Sequence, residues 1–381
     1  MSDQRYECRL LASLDEVDAQ SWDALVAMMA DRNPFLSHAF LHALQASGCA
    51  TAGTGWHPRF ITLWSGKELH AAMPLYLKEH SYGEYVFDWA WADAYHRHGL
   101  EYYPKLLSAI PFTPVMGSRL LARDTPARKA LIAALRASQQ ELGLSSTHVL
   151  FLPTNEAQDL QEAGFLLRSG VQFHWLNRGY ESFEDFLSTL EAKNRKNIRA
   201  ERRKVREAGI GFRHLSGHEA SKADWAFFKR CYDRTYAEHR STPYLNLDFF
   251  LRIAAKLPEQ LLLVIAERAG KPIAASLFFR DDKTLYGRYW GAQEHHACLH
   301  FEAAYYQGID YCIAHRLPCF EGGAQGEHKL ARGFEPQKTL SAHWLAHPVF
   351  ADAVEQFLER ESAGITEYVQ ELNEHLPYRH S

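Results

Sequence analysis

Apolar positions along this chain come in short blocks, and the blocks recur in the same order. Residues 59–64 (RFITLW) form an apolar run, Ser65-Gly66-Lys67-Glu68 a turn, and 69–78 (LHAAMPLYLK) a second run. Much later, 261–267 (LLLVIAE), Arg268-Ala269-Gly270-Lys271 and 272–280 (PIAASLFFR) spell the same order. Apolar runs of this length bounded by a glycine-bearing turn predict β-hairpins. Both turns carry Gly-Lys, and both second runs have an alanine pair at their third and fourth positions, Ala71-Ala72 and Ala274-Ala275. A third predicted strand follows each hairpin (84–91 and 284–290), then a predicted helix (102–110 and 300–314). A unit spelled twice predicts two related domains.

Between these blocks the spacing is helical at 37–47, 125–141, 155–163, 183–190, 193–207, 223–238, 247–257 and 350–376, the last loosened at Gly364. Thr125-Pro126 places a capping side chain before a proline in the first turn. Ser182 with Asp185 resembles a capping box. Further strands are predicted at 147–152 and 172–176. Strands and helices alternate in mixed order, which predicts an α/β chain with mixed sheets rather than an all-β sandwich. A boundary is placed near 167–170. This gives an N-terminal domain over 1–168, a C-terminal domain over 169–347 that contains the helix 193–207, and a helical segment over 348–381.

Composition narrows the function without naming it. The chain has 381 residues, 46% hydrophobic and 23% charged, with a formal charge of -4. That balance excludes extended disorder and a globally basic nucleic-acid coat. No apolar run approaches the ~18 residues of a membrane span. The N-terminal stretch lacks a signal-peptide core, which predicts a cytoplasmic protein. The six cysteines show no C-x-x-C spacing, so free, mostly buried thiols are expected rather than a disulfide framework.

Four stretches carry candidate chemistry. In 193–206 (KNRKNIRAERRKVR) eight of fourteen residues are basic and only Glu201 is acidic. On a helix Arg195, Arg199, Arg202 and Arg206 share one side, with Ile198 and Val205 as apolar anchors. Such a face suits phosphates, and the plainer reading is a solvated surface. In 321–334 (EGGAQGEHKLARGF), Glu321, Gln325, His328, Lys329 and Arg332 crowd a glycine-rich loop. Buried, they need mutual pairing or a ligand. In 87–98 (FDWAWADAYHRH), Asp88, Trp89, Asp93 and Tyr95 alternate aromatic and acidic groups, as a groove for sugars, bases or amines would, or as a packed strand end. The loop 111–119 (PFTPVMGSR) is rigid and ends in Arg119. Tyr244 and Arg288 complete the candidate binding residues. His295, His296, His300 and Glu302 do not match H-E-x-x-H, and no metal is expected. G-x-S-x-G, Walker A and G-x-G-x-x-G sequences are missing, which removes the serine-hydrolase, P-loop and Rossmann readings.

Taken together, N-P-F-L-S-H-A-F-L (33–41), D-W-A-W-A-D (88–93), P-F-T-P-V-x-G-x-R (111–119), the K-N-I-R helix and E-H-K-L-A-R-G-F (327–334) resemble the bacterial FemAB-like family, described as peptidoglycan biosynthesis or recognition proteins. The resemblance covers nearly the whole chain. It implies a tandem pair of GNAT-type domains and transfer of an aminoacyl group from aminoacyl-tRNA to an amine of a peptidoglycan precursor. The basic helix is similar to the Fem pattern K-x-R-x-x-I-R. Lys329 stands where Fem enzymes have F-K-x-x-F-G, with His328 in place of the aromatic residue and Arg332 additional. The Fem coiled-coil arm is missing. So is the GNAT pyrophosphate loop [RQ]-x-x-G-x-[GA], since 291–299 (GAQEHHACL) has one glycine.

The reading that joins these observations is acyl or aminoacyl transfer to an amine. Lys329 and Arg332 are candidates for the oxyanion, and Asp88, Glu321 or His328 for the proton acceptor. The basic helix, with Arg195 and Arg199, is the candidate for phosphates. No tightly bound cofactor is expected; aminoacyl-tRNA or acyl-CoA would be the donor, with tRNA a partner in the first case. The alternatives are a CoA-dependent N-acetyltransferase of a small amine and a non-catalytic protein that binds cell-wall fragments or RNA.

Overall fold

A computed structural model describes residues 5–323 and 326–379. It is a mixed α/β protein with two compact units. The first unit takes the chain up to Gly170 together with Lys338–Thr366, and the second takes Val171–Gln337 with the chain from Glu367 on.

In the first unit β1 (Glu7–Leu11) leads through helices α1 (Ala19–Met28) and α2 (His38–Ala46) to β2 (Trp56–Pro58) and the hairpin β3 (Phe60–Ser65) and β4 (Glu68–Met73). Asp18 and Ser37 cap the two helices by accepting from backbone N–H groups. β1 and β4 flank β3, both antiparallel, and the turn residue Gly66 adopts the left-handed conformation. After Pro74 the strand resumes as β5 (Tyr76–Lys78), followed by helix α3 (Trp89–Arg97), β6 (Lys105–Ser108), β7 (Leu121–Ala122), α4 (Thr125–Glu141), β8 (Ser146–Leu152) and α5 (Thr154–Glu162). β5 pairs antiparallel with β6, and β6 parallel with β8. The core is apolar side chains of β3, β4, β6 and β8 packed against α4 and α5.

β9 (Leu166–Leu176) belongs to the second unit from Val171 on, and is followed there by α6 (Phe183–Ser188), α7 (Ala192–Glu207), β10 (Ile210–Leu215), α8 (Lys222–Glu238) and α9 (Leu247–Lys256). Then come β11 (Leu261–Arg268), β12 (Lys271–Arg280), β13 (Thr284–Ala292), the one-turn helix α10 (Leu299–Phe301), a π-helical turn (Glu302–Tyr306), α11 (Gln307–Ala314) and β14 (Cys319–Glu321). β10, β11, β12 and β13 pair antiparallel in sequence. β13 and β14 run parallel, and β14 pairs antiparallel with β9.

Strand, two helices and an antiparallel hairpin therefore occur in both units, followed by an antiparallel and then a parallel pairing. β15 (Glu335–Leu345) completes the correspondence. Its residues from Leu340 onward pair antiparallel with β8 in the first unit, as β9 pairs with β14 in the second. Helix α12 (Pro348–Glu374) follows and runs through Gly364 without a break. Residues 167–170 lie inside β9.

The cap of α4 is Asp124, which accepts from the Ala127 N–H, and Thr125 is the first helical residue rather than the cap. Two predicted elements fail as well. Residues 84–91 are not a strand, since α3 begins at Trp89, directly after Asp88. Trp91 and Tyr95 lie four residues apart, and burial of both in one cluster with Leu345, Val354 and Leu358 favours the helix. Residues 102–110 are not a helix but contain β6, buried along its whole length. A strand covered on both faces shows no alternation, so its pattern is indistinguishable from a short helix. The six cysteines are free: Cys49, Cys231 and Cys312 are buried, Cys298 and Cys319 partly buried and Cys8 exposed. No helix among the described residues is long and apolar enough to cross a membrane.

Candidate functional site

β13 and β14 pair over only three residues, ending at Tyr286 opposite Glu321. Beyond that point the other neighbour of β13 is disturbed as well. Leu277 of β12 lies opposite Tyr289 and Phe278 opposite Gly287, which leaves Arg288 as the extra residue of a β-bulge. A bulge re-aims its side chain, and here the Arg288 guanidinium lies 2.6 Å from a Glu321 carboxylate oxygen, both groups buried. Beside the pair a pocket of about 110 Å³ is lined by Ser276, Arg288, Trp290, His300, Tyr305 and Gly322 among others.

The loop after β14 folds against this wedge. Glu327–Arg332 forms a 3-10 helix entered through Gly326 at φ 120, a value that favours glycine. Lys329 is 2% exposed, and its Nζ donates to the Gly323 carbonyl at 3.1 Å. Burial pulls its pKa from 10.5 to about 8, with Glu321 opposing the fall and Arg288 adding to it. No ion pair joins Lys329 to Glu327, whose carboxylate accepts instead from the Tyr368 hydroxyl. His328 is exposed, with Nε2 3.0 Å from the Tyr305 hydroxyl. The Arg332 guanidinium lies over the Phe301 ring, 3.5 Å from its centroid, and is tied to Glu201 of α7. Glu201, the one acidic residue within 193–206, thus anchors the lysine loop, and Tyr306 donates to the same carboxylate.

α7 forms as expected, with Ile198 and Val205 buried. Its arginine stripe is less free than the helix composition suggests. Arg195 donates to the Leu190 carbonyl, Arg199 pairs with Glu184, and Arg202 with Glu302 and Asp310. These acids come from other elements, where a count over fourteen residues cannot see them. Lys193, Lys196, Lys204 and Arg206 have no acidic partner among the described residues. Arg199, Arg202, Arg203 and Arg206 border a groove of about 550 Å³.

Asp88 lies in a buried polar network of the first unit. Lys105 Nζ donates to Ser81 Oγ at 2.7 Å, Glu84 Oε2 at 2.8 Å and Asp88 Oδ2 at 2.5 Å. Tyr102 donates to Asp88 and meets His148 Nε2, and His148 Nδ1 lies 2.8 Å from His343 Nδ1. Burial works against the Asp88 charge, but Lys105 outweighs it and holds the carboxyl below its usual range. Burial lifts Glu84 to about 7 against the pull of Lys105, and it lowers His148 to about 3.

The remaining candidates are dispersed. Tyr95 is buried against Phe350 and Tyr102. Asp93 pairs with Arg97 in solvent. Trp89 is exposed beside Tyr82 and Phe87. Tyr244 packs edge-on against Tyr236. Gln325 lies outside the described residues.

Arg119 is wholly buried and donates to the carbonyls of Val115, Gly117 and Ser118, holding its own loop. That loop fills the place where β6 leaves β8. Pairing stops at Ser108 opposite Val149, and Gly117 N–H then donates to the Phe151 carbonyl. The gap that is a pocket between β13 and β14 is therefore plugged in the first unit. No group of three metal-ligating side chains comes together among the described residues.

A model of the FemAB-like family, described as peptidoglycan biosynthesis/recognition, matches residues 13–380. Comparison with curated proteins gives no match. Among solved structures the chain is similar to FemX, at 10% identity over 89% of this chain and 98% of that one, with a TM-score of 0.56. It is also similar to L-PGS from Bacillus licheniformis, at 10% identity, 90% and 97% coverage and a TM-score of 0.54. The C-terminal domain of a putative lysylphosphatidylglycerol synthetase from Agrobacterium fabrum follows at 10% identity, 87% and 92% coverage and 0.53. At these identities the likeness is one of fold.

Proposed function

The chain belongs to the FemAB-like family of peptidoglycan biosynthesis/recognition proteins, and from that premise we propose that it transfers an acyl or aminoacyl group to an amine of a peptidoglycan precursor. The observation that carries the reading is the open wedge between β13 and β14, with Lys329 and the Arg288–Glu321 pair buried at its edge. Amine attack on an activated ester needs little covalent help from protein. Positioning supplies much of the rate, with effective molarities of about 10⁵–10⁸ M for well-oriented groups. What remains is to meet the charge that develops on the carbonyl oxygen. A cation fixed in a poorly solvated wedge does this without reorganising. With its pKa near 8, Lys329 is still mostly an ammonium at neutral pH.

The donor side of the reading rests on α7. Arg206, which has no acidic partner among the described residues, borders a groove of about 550 Å³ on this helix, and Lys196 and Lys204 of the same helix likewise have none. Aminoacyl-tRNA is favoured over acyl-CoA because 291–299, after β13, lacks the glycines of a pyrophosphate loop.

The test supplies labelled aminoacyl-tRNA and labelled acyl-CoA separately, each with amine-bearing peptidoglycan precursors. Label transferred from aminoacyl-tRNA supports the reading. Transfer only from acyl-CoA to small amines would replace it with an acetyltransferase. Precursor binding with no transfer from either donor would make the protein a recognition module.

A further inference from the structure

We propose that His300 is the general base that takes the proton from the attacking amine; the proposal rests on the transfer reading above. His300 sits in the one-turn helix α10, directly before the π-helical turn, and its ring lines the same pocket as Arg288 and Tyr305. The other proton acceptors nearby are engaged. The Glu321 carboxylate is held by Arg288, the His328 ring by the Tyr305 hydroxyl, and Lys329 donates to Gly323. The His300 imidazole has no hydrogen-bond partner among the described residues. Aromatic contacts alone hold it, with Trp290 at 5.3 Å and Phe301 and Tyr305 each at 5.5 Å between ring centroids.

A second group in the pocket also lacks a partner. Ser276 Oγ of β12 is buried and makes no hydrogen bond. A buried hydroxyl left unpaired in a cavity wall is costly unless something occupies the cavity. An acyl carbonyl in the pocket would give Ser276 its acceptor and bring the reacting carbon beside His300.

The surroundings also set the protonation state. Burial, then the charges of His328, Arg332 and Lys329, push His300 down to about 4, so the ring is neutral at pH 7. A neutral imidazole accepts a proton from the cationic nitrogen of a tetrahedral adduct, which is a far stronger acid than the free amine. The same positive neighbours then favour its release.

The step balances as follows. The amine nitrogen bonds to the donor carbonyl carbon, and the carbonyl oxygen becomes an oxyanion. One N–H proton passes to the unprotonated ring nitrogen of His300. The adduct collapses, the bond from carbon to the donor ester oxygen breaks with its electron pair, and the imidazolium proton goes to that oxygen. The products are an amide and an alcohol.

His300→Gln keeps a polar side chain but removes the base, and His300→Ala leaves space for added imidazole. If wild-type protein transfers label, His300→Gln should be slower by about 10²–10⁴-fold, the usual scale for a general base. Imidazole should restore part of the rate to folded His300→Ala while leaving the wild-type rate unchanged. A wild-type rate in His300→Gln, or a folded His300→Ala indifferent to imidazole, would overturn the assignment. Wild-type protein that transfers from neither donor removes the reaction itself, and is recognised because no variant is needed to see it. If neither variant folds, ¹⁵N resonances of the wild-type histidine rings decide. A His300 ring neutral at pH 6 supports the assignment, and a protonated one rejects it.

Discussion

Arg332 and Glu201 form a two-point ion pair in which one guanidinium nitrogen lies 2.8 and 3.0 Å from the two carboxylate oxygens. Arg332 also donates to the His328 carbonyl at 2.7 Å, so the pair fixes the backbone immediately before Lys329. Arg332 thereby acts on the site by holding the loop. Glu201→Gln should destabilise the fold by roughly 1–3 kcal/mol, the cost of weakening a partly buried charged hydrogen bond. Denaturant unfolding measures this. A double-mutant cycle with Arg332→Gln should show coupling, and strictly additive effects would mean the pair is incidental.

Lys329→Ala should leave the fold intact and lower turnover by about 10²–10³-fold, as for loss of one oxyanion donor. Turnover and melting temperature measured on the same preparation separate this from a structural role. Full activity in a stable variant would remove Lys329 from the chemistry.

The depressed pKa of Lys329 also gives a stability prediction. Between about 8 and 10.5 the unfolded chain holds a proton that the folded protein has released, so this group's contribution to stability rises with pH across that window. Lys329→Met, which cannot titrate, should be the more stable protein near neutrality. Its stability should lack this rise, and parallel pH curves for the two proteins would show that the ammonium is not penalised.

Lys105→Met should be severely destabilising, by about 3–5 kcal/mol, because it leaves Glu84 and Asp88 buried without their counter-charge. Glu84 contributes with the opposite sign to a well-paired carboxylate. Its folded pKa is raised to about 7, so its contribution falls as pH rises from about 4.5 through 7. Glu84→Gln should flatten that fall in a urea titration. A Lys105→Met protein as stable as the parent would mean the network carries no net charge.

Gly117→Ala tests the plug in the first unit. Gly117 has φ 150, and an added Cβ would lie 2.4 Å from Asn33 Nδ2 and 2.7 Å from the Asp31 carbonyl oxygen. The variant should lose about 1–3 kcal/mol through backbone strain while turnover per folded molecule stays unchanged. Reduced turnover without loss of stability would give this loop a part in the reaction.

Much of the fold was legible because its signals are local. The hairpins announce themselves by continuous apolar runs around Gly66 and Gly270, and the start of α6 by Ser182 in a capping position, whereas α4 is capped by Asp124, one residue before the Thr125 that the sequence suggests. The loop around Lys329 was legible as a density of charge among glycines. His300 was visible only as one histidine of several, because its role depends on a bulge at Arg288 and a strand separation that no spacing encodes. The network of the first unit was invisible apart from Asp88. Lys105, His148 and His343 share their strands with other polar residues, such as Ser108, Thr147 and Ser341, so nothing in the pattern singles them out. Partners such as Glu184 for Arg199 and Asp310 for Arg202 lie on other elements and enter only once the chain has folded.

β15 reaches the first unit after the whole of the second has been traversed. Translation therefore releases β8, a strand buried along its length, long before the neighbour that covers one of its edges exists. Until residue 345 clears the ribosome, the first unit waits with an unpaired hydrophobic strand, the kind of edge that invites pairing between chains. A polypeptide ending at residue 170 would keep that edge permanently. Gene fragments cut at the apparent midpoint should consequently be recovered as aggregates, whereas supplying residues 338–366 through a short linker should return a dispersed first unit.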